Sequence, residues 1–263
     1  MIFSGGDMIS GCYTAMVTPF DGAAVDEAGL TRLADFQIQN GITGLLAVGT
    51  TGESPTLAWQ EHHRVVQIIS QHAKDKCLCI AGAGSNNTKE ALSASRHAAE
   101  AGVDAVLLVD PYYNGPSSLE IRKEYLMPVA EAFPDLTIIP YIIPGRTGAQ
   151  MLPEDLALLF KDHPNVNTVK EATGNLDNMR RTRQCCGPEF TIFSGDDGLV
   201  YEMMADPDIA ATGVISVVSN IVPKAMSDLV RLLVDKETGQ AKMLADALKP
   251  LFGLVTVNTM EES

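Results

Sequence analysis

Short runs of apolar and β-branched residues recur about every 25 to 35 residues along the chain, and stretches of helical periodicity separate them. The runs YTAMV (13–17), TGLLAV (43–48), CLCIAG (77–82), DAVLLV (104–109), TIIPYII (137–143), NTVK (167–170), FTIFSG (190–195) and TGVISV (212–217) predict eight strands. Strands that alternate with helices need crossover connections, so the pattern implies parallel pairing and an α/β fold. Several helix ends are marked. Asn87 opens one helix with Glu90 three residues on, and Gly102 follows its last turn. Pro153 followed by Glu154 and Asp155 opens another.

Eight β/α units without a charged linker, a low-complexity tract or a break in composition fit one closed (β/α)8 TIM barrel better than an open doubly wound sheet with a second domain. The barrel is expected over residues 1–223. A C-terminal helical segment is expected over 224–263, with helices over 225–235 and 239–251.

At 263 residues the chain has the usual length of one such barrel. Its formal net charge of −14 repels phosphate backbones and anionic lipid, and its 19 basic residues form no run. Nucleic acid and membrane partners are therefore not expected. The start MIFSGGDMIS has no basic segment leading into an apolar one, and no apolar stretch reaches the length of a spanning helix, so a cytoplasmic protein is expected. The five cysteines show no CxxC spacing and are read as buried, reduced thiols.

In this barrel class the active site forms at the carboxyl ends of the strands, so polar residues there carry the chemistry. Of the ten lysines, Lys170 stands apart because it ends the apolar sixth strand and is followed at once by Glu171-Ala172-Thr173-Gly174. Its amine should project into the mouth among apolar walls. Desolvation lowers an amine's pKa and frees its lone pair for attack on a carbonyl. The competing reading is a lysine paired with a strand-end carboxylate.

VGTTGES (48–54) follows the second strand, where Thr50, Thr51 and backbone amides make a nest for a carboxylate, or else a phosphate loop or a plain turn. Neither a GxxxxGK[ST] nor a GxGxxG pattern is present, so a nucleotide cofactor has no support. YIIPGRTG (141–148) puts Tyr141 at the end of the fifth strand, where it could relay protons, and Arg146 in the next loop, where it could hold a carboxylate bidentately. DPYYNGP (110–116) offers Tyr112 and Tyr113, also readable as buried aromatics at a subunit contact. GDD (195–197) has no third carboxylate or histidine to complete a metal site and reads as a turn and helix start.

Taken in order, GTTGES, PYYN, YxxPxRTG, VKEATGN and GVISVVSN resemble the dihydrodipicolinate synthase and N-acetylneuraminate lyase family over roughly residues 11 to 225. The resemblance implies that Lys170 condenses with pyruvate and that Tyr141 and Thr50 relay protons with Tyr113, lent across a subunit interface. It further implies that Thr51 holds the pyruvate carboxylate and that Gly195 and Ile215 complete the substrate pocket. An arginine at Arg146 is similar to the one with which the synthases bind the carboxylate of L-aspartate 4-semialdehyde, and the sugar-acid lyases generally lack it. The expected activity is that of a Schiff-base lyase on the diaminopimelate route to lysine, with no metal or organic cofactor. A homotetramer, a dimer of dimers, is implied as well.

Lysine-inhibited members bind lysine at a dimer interface, and the matching positions are Ser54, Trp59, His62, Asn86, Glu90 and Tyr112. Two departures stand out. Ile142 replaces the asparagine that usually follows the strand-five tyrosine, which is expected to remove a polar group near the site. The chain is also about thirty residues shorter at its end than the family pattern. The alternatives are a sister aldolase or lyase acting on a 2-keto-3-deoxy sugar acid or sialic acid, and an inactive scaffold barrel.

Overall fold

The computed structural model describes residues 10–254. The last residues of the expected C-terminal segment, 255–263, and the chain start lie outside the described residues. The barrel strands are β1 (Gly11–Ala15), β2 (Gly44–Ala47), β3 (Leu78–Gly82), β4 (Ala105–Val109), β5 (Thr137–Ile142), β6 (Thr168–Glu171), β7 (Thr191–Ser194) and β8 (Gly213–Ser216). Each is parallel to its neighbours, and β1 pairs with both β2 and β8, which closes the barrel. The fold is the (β/α)8 TIM barrel.

Seven strands lie within a residue of the sequence expectation, whereas β1 is displaced two residues toward the N-terminus. Its start is set by close backbone approach rather than by side chains. Gly11 pairs with Gly213, and a Cβ on Gly213 would stand 1.9 Å from the Gly11 carbonyl oxygen. At the other end Asn220 takes over from the ladder, its Nδ2 donating to the Ala15 carbonyl at 2.7 Å and its Oδ1 accepting from the Val17 amide at 3.2 Å. A small hairpin, Phe20–Asp21 with Ala24–Val25, turns at Gly22 and was not foreseen. Two-residue strands carry too little pattern to read.

The helices that cover the barrel are α1 (Glu27–Gln39), α2 (Trp59–Ala73), α3 (Thr88–Ala101), α4 (118–132, with a π-helical stretch Ile121–Leu126), α5 (Pro153–Asp162), α6 (Leu176–Cys186), α7 (Val200–Ala205), α8 (Pro223–Val234) and α9 (Thr238–Leu254). Asn87 caps α3 by accepting from the Lys89 amide, and Gly102 ends it in the left-handed conformation, as the sequence predicts. α8 packs on β1, and α9 packs on α8 and α7.

The core has two compartments. Tyr13, Leu46, Ile80, Leu107, Ile139, Phe193 and Ile215 fill the barrel interior, while the larger cluster lies between strands and helices. α8 buries Met226, Leu229, Val230 and Leu233 in the outer one. Truncating one of these, Leu229 for example, removes apolar burial and leaves a cavity, at a cost of about 2–5 kcal/mol. The described cysteines carry free thiols, all buried except the half-buried Cys185. Among the described residues no helix is long and apolar enough to cross a membrane.

Candidate active site

Strand alternation fixes which side chains enter the mouth. Tyr141, Lys170 and Phe193 stand in register on β5, β6 and β7 and face inward, so Val169 and Glu171 face out. Lys170 is 4 % exposed, and its Nζ lies 4.1 Å from the centroid of the Tyr141 ring. Gly195 makes room for it, because a Cβ there would stand 3.1 Å from both Cγ and Cε of Lys170.

Burial pushes the Lys170 amine down to about 8, the Asp197 carboxylate partly offsets this, and the Arg146 guanidinium lowers it further. Among the described residues no carboxylate reaches ion-pair distance of Nζ. The strand-end ion pair, the competing reading of this lysine, is therefore absent there. An amine near pH 8 is neutral in a useful fraction of molecules, which nucleophilic attack requires.

Tyr141 is 4 % exposed, and burial pushes its phenol up to about 12, while Arg146 and a hydrogen bond with the Thr50 hydroxyl pull it down. Thr50 reaches it because the chain turns sharply after β2. Val48 has φ +48°, a conformation that a β-branched residue adopts only under constraint, at about 1–3 kcal/mol. The turn is closed by the Gly52 and Ser54 amides donating to the Gly49 carbonyl, and the Thr18 hydroxyl donates to that of Gly52. Thr51 is half-buried in the same turn.

Arg146 sits in a single helical turn, Pro144–Thr147, at the mouth and exposed, close enough to act on the charge of both Tyr141 and Lys170. Ile215 is fully buried inside the barrel next to β1, in register with Tyr13. Lys170, Tyr141, Thr50, Arg146 and Gly195 are thus brought together. Tyr113 is not: it has φ +80° and is 90 % exposed rather than buried within this chain.

A cleft beside the mouth is lined by Thr50 and Tyr141 together with Ser54, Trp59, Glu90 and Tyr112. Four of the six positions matched to lysine feedback therefore share a cavity with two of the mouth residues. His62 lies behind Trp59, ring centroids 5.1 Å apart, and burial pushes its imidazole down to about 4. Asn86 is exposed just ahead of α3.

Three buried acids at or just beyond strand ends have no role in the sequence pattern. The sequence presents Asp197 only as part of a turn. It is buried, accepts from the Val217 and Val218 amides at 2.8 and 3.0 Å, and supplies the charge that opposes desolvation of Lys170. Asp110 and Glu171 are both fully buried at the ends of β4 and β6. The available signal was a carboxylate closing an apolar strand, as in VLLVD and NTVKE. Ile142 corrects a further expectation. Its side chain joins the outer core between Asp110 and Glu171, so its departure from asparagine removes no polar group from the mouth. Among the described residues no group of three or more His, Cys, Asp or Glu is placed to hold a metal ion.

The sequence pattern of the dihydrodipicolinate synthetase family matches residues 8–261. The chain belongs to this family. The 4-hydroxy-tetrahydrodipicolinate synthase of Pelobacter propionicus is 41 % identical over 96 % of this chain and 85 % of its own length. The solved structure of the 4-hydroxy-tetrahydrodipicolinate synthase from Methylacidiphilum fumariolicum SolV superposes with a TM-score of 0.91 at 37 % identity, covering 96 % of this chain and 83 % of that one. A Cyanidioschyzon merolae member of the family, solved with lysine bound, gives a TM-score of 0.89 at 35 % identity over 95 % of this chain and 85 % of that one.

Proposed function

We propose that this chain is a 4-hydroxy-tetrahydrodipicolinate synthase that condenses pyruvate, held as an imine on Lys170, with L-aspartate 4-semialdehyde. The observation that carries the reading is a buried lysine amine, with no carboxylate at ion-pair distance among the described residues, over the Tyr141 ring with Arg146 at the same mouth. Lys170 attacks C2 of pyruvate and water leaves, giving the imine. The imine draws electrons from C3, and loss of a C3 proton gives the enamine, whose carbon attacks the aldehyde. The amino group of the second substrate then adds to C2 and displaces the lysine, closing the ring and freeing Nζ. No metal or organic cofactor enters these steps.

The hydrogen-bonded pair Tyr141 and Thr50 carries protons in and out of the mouth. Thr51 and its neighbouring amides bind the pyruvate carboxylate against the floor made by Ile215. Arg146 binds the carboxylate of the aldehyde through a bidentate contact. The exposed Tyr113 suits a role in the mouth of a neighbouring copy, within a homotetramer, in the cytoplasm. Lysine is the effector proposed for the cleft, where Glu90 would meet its ammonium group and Trp59 its methylene stem.

Turnover decides between this reaction and the sister aldolases. Consumption of aspartate semialdehyde in the presence of pyruvate, without cleavage of N-acetylneuraminate or a 2-keto-3-deoxy sugar acid, is the expected result. Cleavage of a sugar acid without condensation would overturn it.

A further inference from the structure

Behind the mouth, on the outer face of the barrel, Asp110, Ile142 and Glu171 stand side by side on the ends of β4, β5 and β6. The Asp110 amide donates to the Tyr141 carbonyl at 3.0 Å, and Ile142 is in register with Glu171. Glu171 is well supplied, accepting from the Thr173 amide at 2.8 Å and from Asn178 Nδ2 at 3.3 Å. Asp110 is fully buried; its Oδ2 accepts from the Met151 amide at 2.9 Å, and its Oδ1 has no hydrogen-bond partner among the described residues. Ile142 offers the two carboxyl groups no donor. A buried carboxyl group so poorly supplied is costly, and it persists here with one evident task, holding Met151.

Met151 closes the segment that carries Arg146. At the near end, the Arg146 and Thr147 amides donate to the Ile143 carbonyl at 3.0 and 3.1 Å, where the segment leaves β5. In the middle, the Tyr113 amide donates to the Thr147 carbonyl at 3.4 Å. At the far end Asp110 accepts from Met151, just before α5 begins at Pro153. Asp110 itself heads the loop that bears Tyr112 and Tyr113.

We propose that Asp110 is a positioning residue for the second substrate: its Oδ2 fixes the Met151 amide, and with it the segment 143–152 that sets where Arg146 meets the carboxylate of the aldehyde. This rests on the role given to Arg146 above. Burial pushes the Asp110 carboxyl up to about 7, with Glu171 adding to the rise, so a neutral amide of the same shape is a close substitute for it.

The test is steady-state kinetics of Asp110→Ala and Asp110→Asn with pyruvate and aspartate semialdehyde varied in turn, alongside borohydride trapping of pyruvate on each variant. Asp110→Ala is expected to raise KM for the aldehyde about tenfold, with KM for pyruvate and the yield of trapped adduct within about twofold of the parent. Asp110→Asn, whose amide oxygen still accepts from Met151, is expected to keep both KM values within about twofold. A purely structural role predicts no such split. Equal movement of both KM values in Asp110→Ala, no movement of the aldehyde KM, or an Asn variant as impaired as the Ala variant would each overturn the proposal. If Asp110→Ala does not fold, Asp110→Ser is read by the same split. Failure of the parent enzyme to turn over aspartate semialdehyde while still trapping pyruvate is a separate result: it removes the proposed reaction, and this role with it, before any variant is made.

Discussion

The Nζ of Lys170 lies 4.1 Å from the centroid of the Tyr141 ring, with the two residues in register on neighbouring strands. One side chain thus supplies both a wall that desolvates the amine and, through its hydroxyl and Thr50, a path for protons. Removing the amine and removing the hydroxyl should therefore have different signatures.

Lys170→Ala is expected to abolish the borohydride-trapped adduct and to lower kcat by at least about a thousandfold, with the circular dichroism spectrum unchanged. Turnover by that variant at a rate near the parent's would contradict the imine. Tyr141→Phe keeps the ring under Nζ and loses only the hydroxyl. It should still trap pyruvate, slowly, while kcat falls about 10²- to 10⁴-fold.

The pH dependence follows from the Lys170 amine, held near 8 against 10.5 for a free lysine. Below pH 8 the neutral fraction falls about tenfold per unit, so the pre-steady-state rate of imine formation should rise toward pH 8 and level above it. The stability consequence has the opposite reach. The unfolded chain binds more protons than the folded one between pH 8 and 10.5, so this lysine's contribution to stability rises with pH across that window. Lys170→Met should flatten that rise in a series of urea melts.

Arg146→Ala should raise KM for aspartate semialdehyde about ten- to a hundredfold while pyruvate binding stays within about twofold. Saturation kinetics in each substrate measure this. An equal rise for pyruvate would move Arg146 to the first substrate.

His62 bears on acid stability. It is 3 % exposed and its imidazole is held down to about 4 against 6.5 when free. The unfolded chain therefore binds the extra proton between pH 4 and 6.5, and stability is lost as pH falls through that window, by up to roughly 3 kcal/mol. His62→Gln should lose less stability than the parent over this range in chemical melts.

Most of the barrel was legible because buried parallel strands leave near-continuous apolar runs whose ends are sharp in sequence. β1 was misplaced by two residues because Gly11 carries no such signal and is fixed instead by the approach of Gly213. Lys170 and Tyr141 could be read as candidates because they close strands at the carboxyl end of a barrel, where the mouth forms, and Arg146 because it lies in the loop that follows Tyr141. Tyr113 was harder: one chain shows it exposed, and its sequence neighbours suggest only aromatic packing. Ile142 misled because strand parity, not proximity in sequence to Tyr141, decides which face a residue meets. Asp110 and Asp197 were missed because their partners, Met151, Val217 and Val218, are backbone amides far along the chain, which no local pattern reveals.

The imine on Lys170 is tested most directly by intact mass and peptide mapping after incubation with pyruvate and borohydride. A single pyruvate-derived adduct on the peptide bearing Lys170, absent when pyruvate is left out, is the predicted result. No adduct, or an adduct on another lysine, would contradict it.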